Sequence, residues 1–459
     1  MVQQLFKKVT GIAAGALLLV LLASCVQAPE PSGPPVTLSP GFSAAGEVPL
    51  ADSWWTAFDS DHLNQLVGQS LESNFDLLVA WERLQEARAV VDRSSAEWWP
   101  TLDLGLDGQA QRPETGSGDF ARLGAYSGYE IDLWGRIGSR VEAERFRAAA
   151  TEADYRTARL TLSAEVAATW FRLLTASGQL ELVRSQLETN SKILDSLRNR
   201  FGAGQGERAD LLRQEQLLEA SREQLHISEA RVQVLRHQLS ILVGDSPLQG
   251  AFPTGDGLPD LPPLPETGLT ADLLQRRPDL RAAFNRLRAA DHELAAAVAE
   301  RYPRISLSAS VTTEENDLTD FFDEWVRSLA GNLLLPVVDG GSRRAEVARA
   351  EAVRRQQLYA YGQAVLLAVR EVEDALVVES RQSLRLQSLQ EQVRLSRESY
   401  LQLQRQYING AGNFLDVLTA LTNEQGLRRG LLEARLDLME NRINLYRALG
   451  GGTGAGELN

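Results

Sequence analysis

The stretch from Ile137 to Phe201 reads IGSRVEAERFRAAATEADYRTARLTLSAEVAATWFRLLTASGQLELVRSQLETNSKILDSLRNRF, and it decides the fold. No proline lies between Glu114 and Ser246, so nothing in this stretch forces a helix to stop. At about 1.5 Å per residue, roughly 65 helical residues would span about 95 Å, several times the diameter of a small domain. A second stretch, Arg344 to Tyr407, is also free of proline. The sequence therefore predicts two very long helices.

Large apolar residues recur every seven positions in the C-terminal half of each stretch. Such spacing indicates left-handed supercoiling against partner helices, and hence a fold of packed rods. The repeats are Leu180, Leu187, Leu194 and Phe201, then Leu386, Val393, Tyr400 and Tyr407 at a constant offset of 206, with a further stripe at Leu211, Leu218, Leu225, Val232 and Leu239. The predicted elements are long helices at 137–201 and 344–407 and return helices at 209–243 and 415–449.

The second half of the chain repeats the first. Pro100 aligns with Pro303 at an offset of 203, and Asp210 aligns with Asp416 at an offset of 206. We therefore expect an internal tandem duplication, in which each copy begins with a helix. The predicted units are the copies at 51–246 and 269–449, a proline-rich linker at 247–268 and a flexible glycine-rich tail at 450–459.

Each copy leaves helical spacing only in a predicted strand hairpin, at 101–133 and at 304–338. In the first, Leu102, Leu104 and Leu106 alternate with acidic or small residues, which is typical of a strand with one apolar face. Strands of about 10 residues have the length of tilted strands that cross a bilayer. Residues 116–118 and the acidic run 314–320 would form the loop tips.

Two kinds of sheet are compatible with this alternation. One is an ordinary four-stranded sheet packed on helices. The other is a membrane barrel, which four strands cannot close alone because single-chain membrane barrels need about eight or more. An open edge cannot be left in lipid, so a barrel would require cyclic association of several copies.

The charge balance argues against nucleic acid as a partner. The formal net charge is −14, and arginines alternate with acidic residues along the helices, as on solvated helix faces. A phosphate-binding protein would show a basic stripe or patch instead. A hydrophobic content of 44% is enough for a sizeable core in 459 residues.

The N-terminus has the pattern of an export signal at residues 1–24. Lys7 and Lys8 precede a mostly apolar run that ends at Leu22, too short for a stable transmembrane helix. Leu22-Ala23-Ser24-Cys25 resembles the bacterial lipobox, in which the cysteine is lipidated. Cys25 is the only cysteine, and exported proteins avoid unpaired thiols, which favours lipidation over a plain signal peptide with a chance cysteine. Residues 25–50, rich in Pro, Gly and Ser, would then be a lipidated tether.

No constellation of catalytic residues is present, so we expect a protein that is not an enzyme and needs neither cofactor nor metal. His62, His226, His237 and His292 are dispersed and match no metal-binding spacing. The glycine-rich run at 202–206 follows a predicted helix and lacks the lysine of a phosphate loop, so we interpret it as a helical turn. The run at 409–412 is its equivalent. The glycines of these turns are Gly202, Gly204, Gly206, Gly410 and Gly412.

The whole layout resembles the TolC-like outer-membrane efflux factors, and among them the lipidated OprM and NodT branch. Several of the motifs are individually weak, but their order within a duplicated chain is specific. They are Trp54-Trp55 with Phe58, Asn74-Phe75-Asp76-Leu77, Glu130-Ile131-Asp132-Leu133-Trp134-Gly135-Arg136, Arg277-Pro278-Asp279-Leu280, Arg301-Tyr302-Pro303, and Leu335-Pro336 with Asp339-Gly340-Gly341.

The resemblance implies a mainly α fold with a membrane β-barrel portion. Such proteins are homotrimers, in which each protomer gives four strands to a twelve-stranded outer-membrane barrel. The long helices continue the barrel as a periplasmic α-helical tunnel. The glycine turns would then be the hairpin tips at the periplasmic end of the tunnel, where a periplasmic adaptor docks.

The resemblance also implies a gate at these tips. Members of the family narrow the pore with aspartates at the position of Asp416, and a tyrosine nine residues earlier, here Tyr407, helps to hold it shut. Two departures are visible, since some members have a second aspartate where Thr419 stands and an arginine where Gly412 stands. Asp210 is the equivalent in the first copy, and both aspartates could instead stabilise helix N-termini. Tyr407 and Phe201 are equivalent positions in the two copies, and only Tyr407 has a hydroxyl. We therefore expect the second hairpin to move.

The function that follows is a passive exit duct of a tripartite efflux system in the outer membrane of a Gram-negative bacterium. It would conduct small molecules such as drugs, and so contribute to multidrug resistance, with an inner-membrane pump of the proton-driven RND type as the energy source. Ducts for type I protein secretion or metal efflux are similar alternatives. A lipid-anchored periplasmic structural rod is an alternative of a different class.

Overall fold

The computed structural model describes residues 28–30, 33–109, 120–248, 250, 252–255, 257–315 and 324–451. The signal peptide, Cys25, the loop tip at 116–118 and most of the acidic run and the tail lie outside these ranges. Seven main helices are present in the described part of the chain. They are α1 (Asp61–Ser73), α2 (Phe75–Ser95), α3 (Arg136–Gly202), α4 (Arg208–Leu242), α5 (Pro278–Ala299), α6 (Ser342–Ile408) and α7 (Phe414–Ala448).

The two long helices, α3 and α6, each run for 67 residues without a break. Each is followed by a return helix of 35 residues, α4 or α7. The equal lengths reflect the tandem duplication seen in the sequence. No helix among the described residues is both long and apolar enough to cross a membrane.

Four strands form one antiparallel sheet in the order β1-β2-β3-β4. Their bounds are β1 (Thr101–Gln109), β2 (Phe120–Ile131), β3 (Arg304–Glu315) and β4 (Val326–Leu334). The hairpin of the first copy therefore pairs with the hairpin of the second through β2 and β3. The two outer strands, β1 and β4, each have one edge without a partner strand in the described sheet.

One face of this sheet is apolar and exposed. Leu104 pairs with Ala125, which pairs in turn with Val311, so these side chains share a face. Leu102, Leu104 and Leu106 are 71–81% exposed, and Leu329 on β4 is 81% exposed. An ordinary sheet packed on helices would bury this face, so the chain does not form the first kind of sheet considered above.

The opposite face of the sheet is polar. Asp103 pairs with Tyr126, which pairs with Ser310. On the same face, the Arg122 guanidinium donates to Glu314 over 2.7 Å, joining the two copies. The sheet therefore separates an apolar surface from a hydrated one.

The chain divides into two compact units. The first comprises the described residues within 1–36, 82–153 and 281–364 and contains the sheet; the second comprises those within 37–81, 154–280 and 365–459. In the first unit, the motif at 130–136 fixes the end of β2. Arg136 binds Glu130 over 2.9 Å, and the indole N–H of Trp134 donates to the Pro303 carbonyl over 2.6 Å.

The core of the second unit is aromatic. The ring of Trp54 stacks on Tyr446, with centroids 5.4 Å apart, and Phe58 meets Phe171 edge-on at 5.0 Å. Both Trp54 and Phe58 are only 1% exposed. The short helical segment at Trp54–Phe58 thus joins the two copies, because Phe171 lies on α3 and Tyr446 on α7.

Within the second unit, residues 43–48 of the N-terminal tether are held against the linker. The Gly46 N–H donates to the Pro265 carbonyl over 3.1 Å, and Val48 and Pro265 form a parallel bridge. The Ser43 N–H also donates to Glu373 on α6 over 2.9 Å. Residues 43–48 are therefore bound along the protein by backbone hydrogen bonds.

Candidate functional site

The two hairpin tips belong to the second unit and have the same backbone geometry. At the end of α3 the Gln205 N–H donates to the Arg200 carbonyl and the Gly204 N–H to the Phe201 carbonyl. At the end of α6 the same two bonds are made by Ala411 and Gly410. Both patterns are Schellman caps, which need a positive φ at one residue. Gly204 and Gly410 provide it, with φ of 75° and 76°.

The other three glycines at the tips do not have positive φ in this structure. Gly202 is the last residue of α3 and faces open space. A Cβ at Gly206 would lie 3.4 Å from the Phe201 nitrogen, and a Cβ at Gly412 would lie 3.4 Å from the Tyr407 nitrogen. Both distances are ordinary van der Waals contacts, so neither position requires glycine.

The return helices begin differently in the two copies. Asn413 caps α7, because its side-chain oxygen accepts from the Asp416 N–H over 2.9 Å. Glu207 occupies the cap position of α4 without a side-chain capping bond. Asp210 and Asp416 are both in the first turn, where a carboxylate is favourable for the helix dipole.

Asp210 is less exposed than its ion-pair partner. The carboxylate lies 3.4 Å from Arg213, with side-chain exposures of 14% and 44%. Burial raises the pKa of Asp210, and the nearby charge of Glu207 raises it further, while Arg213 acts in the opposite direction. The carboxylate is therefore held where its ionised form is disfavoured.

A small apolar cluster, which we call the tip cluster, joins the two hairpins. Its buried members are Leu197 of α3 with Phe414 and Val417 of α7. Apolar side chains from all four helices pack around them, namely Ile193, Leu211, Tyr400, Leu403, Tyr407 and Leu418. The first and second hairpins are thus in direct contact at their tips.

Tyr407 contacts the first hairpin through its ring. The Arg200 guanidinium carbon lies 4.7 Å from the Tyr407 ring centroid, and the Phe414 ring lies 5.6 Å away at a tilt of 57°. A cation over an aromatic face contributes roughly 0.5–2 kcal/mol. Burial raises the pKa of Tyr407; Arg200 lowers it, while the charges of Asp210 and Glu207 raise it. Tyr407 and Asp210 are therefore electrostatic neighbours.

Asp416 is placed apart from this group. Its side chain is exposed at the tip of the second hairpin. Among the described residues, the charges that act on Tyr407 are those of Arg200, Asp210 and Glu207. The structure thus brings Tyr407 and Asp210 together and leaves Asp416 facing solvent.

Arg200 and Phe414 are not among the residues that the sequence predicts for this site. The difference between the copies was a visible signal, because Arg200-Phe201 in the first corresponds to Gln406-Tyr407 in the second. The cation therefore comes from one copy and the tyrosine from the other. Only the packing of the two hairpins shows that they meet.

A layer of buried polar side chains lies next to the tip cluster along the helices, and we call it the polar layer. Its centre is Asn190 of α3, which is fully buried. The Asn190 amide donates to the Ser221 hydroxyl over 2.8 Å, and its oxygen accepts from Gln425 over 3.2 Å. Gln214 also donates to the Asn190 carbonyl over 2.9 Å. The layer connects α3 with both return helices.

Nothing in the described ranges is arranged as a metal centre, since no group of three or more His, Cys, Asp or Glu residues there could hold an ion. Where the two hairpins touch, their tips carry side chains of opposite charge and an aromatic ring in contact with a cation. Such an arrangement can hold two elements together or release them; it contains no nucleophile with an adjacent base.

The chain matches the pattern of one protein family along most of its length. The family is described as "Outer membrane efflux protein", and the matched residues are 66–245 and 269–451. The pyoverdine export outer membrane protein OpmQ of Pseudomonas putida is 30% identical over 454 residues, covering 95% of this chain and 96% of OpmQ. The cation efflux system protein CusC of Escherichia coli O157:H7 is 29% identical, covering 94% and 96%. The solved outer-membrane channel OprN superposes with a TM-score of 0.87 at 30% identity, covering 94% of this chain and 100% of that structure.

Proposed function

The chain belongs to the outer membrane efflux protein family, and from that premise we propose that it is the passive exit duct of a tripartite efflux system. It conducts solutes that an inner-membrane pump and a periplasmic adaptor deliver, and it extends from the outer membrane into the periplasm. The observation that carries the proposal is the four-stranded sheet with one exposed apolar face and two free edges.

The sheet supports a barrel made by several protomers. In lipid, an unpaired strand edge costs several kcal/mol for each unsatisfied group, so β1 and β4 need partners. The apolar face of Leu104 and Leu329 suits lipid, and the polar face of Asp103 and Ser310 suits a hydrated lumen. Three protomers would pair β4 of each with β1 of the next and give twelve strands.

The helices of the second unit support the same ring. Hydrogen bonds link α4 to α3 through Ser221, α3 to α7 through Gln425, and α7 to α6 through Arg442. The helices α4 and α6 therefore stand at the two ends of the series. Each carries apolar side chains that are about half exposed: Ile227, Val234 and Ile241 on α4, and Leu366, Val377, Leu384 and Leu395 on α6.

These exposed residues are spaced by 7 or 11 positions, which returns to one helix face to within about 20°. Two such stripes on opposite ends of one protomer can pack against each other between copies. Because the two surfaces differ, the contact is heterologous, and it generates a ring when the rotation between successive copies closes. A homotrimer is the ring that gives a barrel of twelve strands from four per protomer.

The hairpin tips are proposed as the periplasmic gate and the adaptor-docking site. Gly202, Gly204, Gly206, Gly410 and Gly412 form the two turns that would meet the adaptor. Asp416, exposed at the tip, would line the constriction with its two symmetry copies, and three close carboxylates would attract cations. Tyr407 would hold the tip closed, with Asp210 as its charged neighbour.

The export signal and Cys25 support a lipid anchor in the outer membrane in addition to the barrel. The lipoprotein modification supplies several acyl chains, which together hold a protein firmly. The docked segment at 43–48 would then fix where the anchored chain meets the duct.

The proposed cargo is a small molecule, exported by an RND-type pump. OpmQ is named for pyoverdine and CusC for cations, so similar chains serve unlike solutes. Metal efflux is therefore the second candidate, and type I protein secretion the third. Cargo choice in this arrangement belongs to the pump, because the duct offers a wide hydrated path.

Planar-bilayer recording on the purified full-length protein tests the proposal. A duct should give a heat-sensitive trimer on a gel, discrete conductance steps, and loss of cation preference in Asp416→Ala. Co-purification with an adaptor and a pump would identify the system. A water-soluble monomer from a Cys25→Ser variant, with no conductance, would instead support the lipid-anchored rod.

A further inference from the structure

Arg200 has an environment that its neighbours on α3 do not share. Its Nε atom is buried and has no hydrogen-bond partner in the described part of the chain. Two residues earlier, Arg198 is exposed and pairs with Glu215 of its own hairpin over 3.1 Å. A buried guanidinium nitrogen without a hydrogen bond is costly unless another interaction compensates. For Arg200, the ring of Tyr407 at 4.7 Å is such an interaction.

We propose that Arg200 is a positioning residue of the gate, a clamp from the first hairpin that holds the Tyr407 ring of the second hairpin. The inference rests on the proposed duct function and adds a residue and a chemical basis to it. The Tyr407 ring contacts both the Arg200 guanidinium and the Phe414 ring. The stability of the closed tip therefore depends on the face of the Tyr407 ring, and only secondarily on the Tyr407 hydroxyl.

The position of the charges explains why the clamp can open. Glu207 and Asp210, at the start of α4, act on Tyr407 in the opposite sense to Arg200. When the second hairpin moves away, the Arg200 guanidinium loses the ring and gains water. The cation is thus never left buried and alone, which a purely apolar clamp partner would cause.

The duplication shows that the clamp is single in each protomer. At the equivalent place in the second copy stands Gln406, and the equivalent ring, Phe201 in the first copy, is 44% exposed. A reciprocal contact is therefore not built. A closed trimer would contain three such clamps, one for each moving hairpin.

The test is single-channel recording of full-length variants in planar bilayers at fixed pH and salt. Arg200→Gln should raise the opening frequency about two- to thirty-fold, the range expected for loss of one cation–ring contact. Tyr407→Leu should do the same, whereas Tyr407→Phe and Arg200→Lys should give smaller increases because a ring or a cation remains. The double variant Arg200→Gln with Tyr407→Leu should open no more than either single variant.

Arg198→Gln is the matched control. It removes the same charge at a position two residues before Arg200, where the arginine belongs to an exposed ion pair. This variant should behave as the wild type. Arg200→Met, which keeps the apolar stem, replaces Arg200→Gln if that variant fails to form trimers. The clamp is rejected if Arg200→Gln matches Arg198→Gln, or if Tyr407→Phe opens as often as Tyr407→Leu. If the wild type forms no channel at all, the proposed function fails instead.

Discussion

The amide of Gln425 donates to the side-chain oxygen of Asn190 over 3.2 Å and so joins the second hairpin to the first inside the protein. Asn190 is fully buried and also donates to Ser221. Removing its side chain would leave the buried Gln425 amide without this partner, at about 1–3 kcal/mol, whereas the Ser221 hydroxyl keeps its bond to the Leu217 carbonyl.

We therefore expect Asn190→Ala to lower the thermal stability of the trimer clearly, as measured by its gel transition on heating. Asn199→Ala, at an exposed position on the same helix, is the matched control and should melt within a few degrees of the wild type. Equal melting of the two variants would mean that the polar layer adds no net stability.

Asp210 should make closure of the tip depend on pH. Burial and Glu207 raise the pKa of Asp210 in the closed tip. The ionised carboxylate therefore destabilises the closed tip, and this destabilisation is fully present above the raised pKa. As the pH falls through the raised pKa, Asp210 binds a proton in the closed tip but not in an open, hydrated tip. The destabilisation of the closed tip is then lost. Closed-state leak should accordingly decrease from neutral toward mildly acidic pH. Asp210→Asn should be tighter at neutral pH and less pH-dependent, and Glu215→Gln provides a control for a lost carboxylate on the same helix.

Arg442 should be far more important for stability than other arginines of α6 and α7. It is 2% exposed, binds Glu379 over 2.8 Å, and donates to the Pro263 carbonyl over 2.7 Å, which holds the linker. Breaking a buried ion pair by removing one partner costs about 3–5 kcal/mol. Arg442→Met should thus reduce the yield of folded trimer sharply.

The control for Arg442 is an exposed pair between the same two helices. Arg385 and Asp437 lie 3.0 Å apart with side-chain exposures of 51% and 45%. Surface pairs contribute about 0–1 kcal/mol. Arg385→Met should therefore give normal amounts of trimer, and a comparable loss in both variants would contradict a special role for Arg442.

Gly410 should tolerate alanine poorly although nothing surrounds it. A Cβ there meets no atom within 4 Å, so the cost would come from its φ of 76° alone. For a residue with a Cβ this conformation costs roughly 1–2 kcal/mol. Gly202→Ala, in helical conformation and open space, should be neutral or slightly stabilising. Hydrogen exchange at the two tips would compare them, and faster exchange is expected only in Gly410→Ala.

The exposed stripe on α4 should be needed for assembly. Val234 is 52% exposed in the protomer, and in the proposed ring it is covered by the next copy. Val234→Glu would bury an unpaired charge there, so trimers should be lost while monomers keep their helical content. Gln233→Glu, at a neighbouring exposed position, tests whether charge alone has this effect. If both variants form trimers, the interface between copies does not include Val234.

Much of this fold can be predicted from the sequence because its signals are local. Proline-free heptads gave the long helix at 137–201, which runs from Arg136 to Gly202 in the structure. Alternation in Leu102, Leu104 and Leu106 gave a strand with one apolar face, and the glycine turns gave the hairpin tips. The prediction that Tyr407 belongs to a gate came from the family resemblance, and the offset between copies made Phe201 its equivalent.

Tertiary structure decided what lies opposite each of these residues. A heptad predicts that Tyr407 faces a partner helix, but not which side chain of that helix it meets. That depends on the register between helices far apart in the chain, and a shift of one residue turns each side chain by about 100°. The contacts of Arg200 with Tyr407 and of Gln425 with Asn190 are consequences of that register. The sequence by itself determined the elements and their apolar faces, whereas packing alone determined which polar groups pair between them.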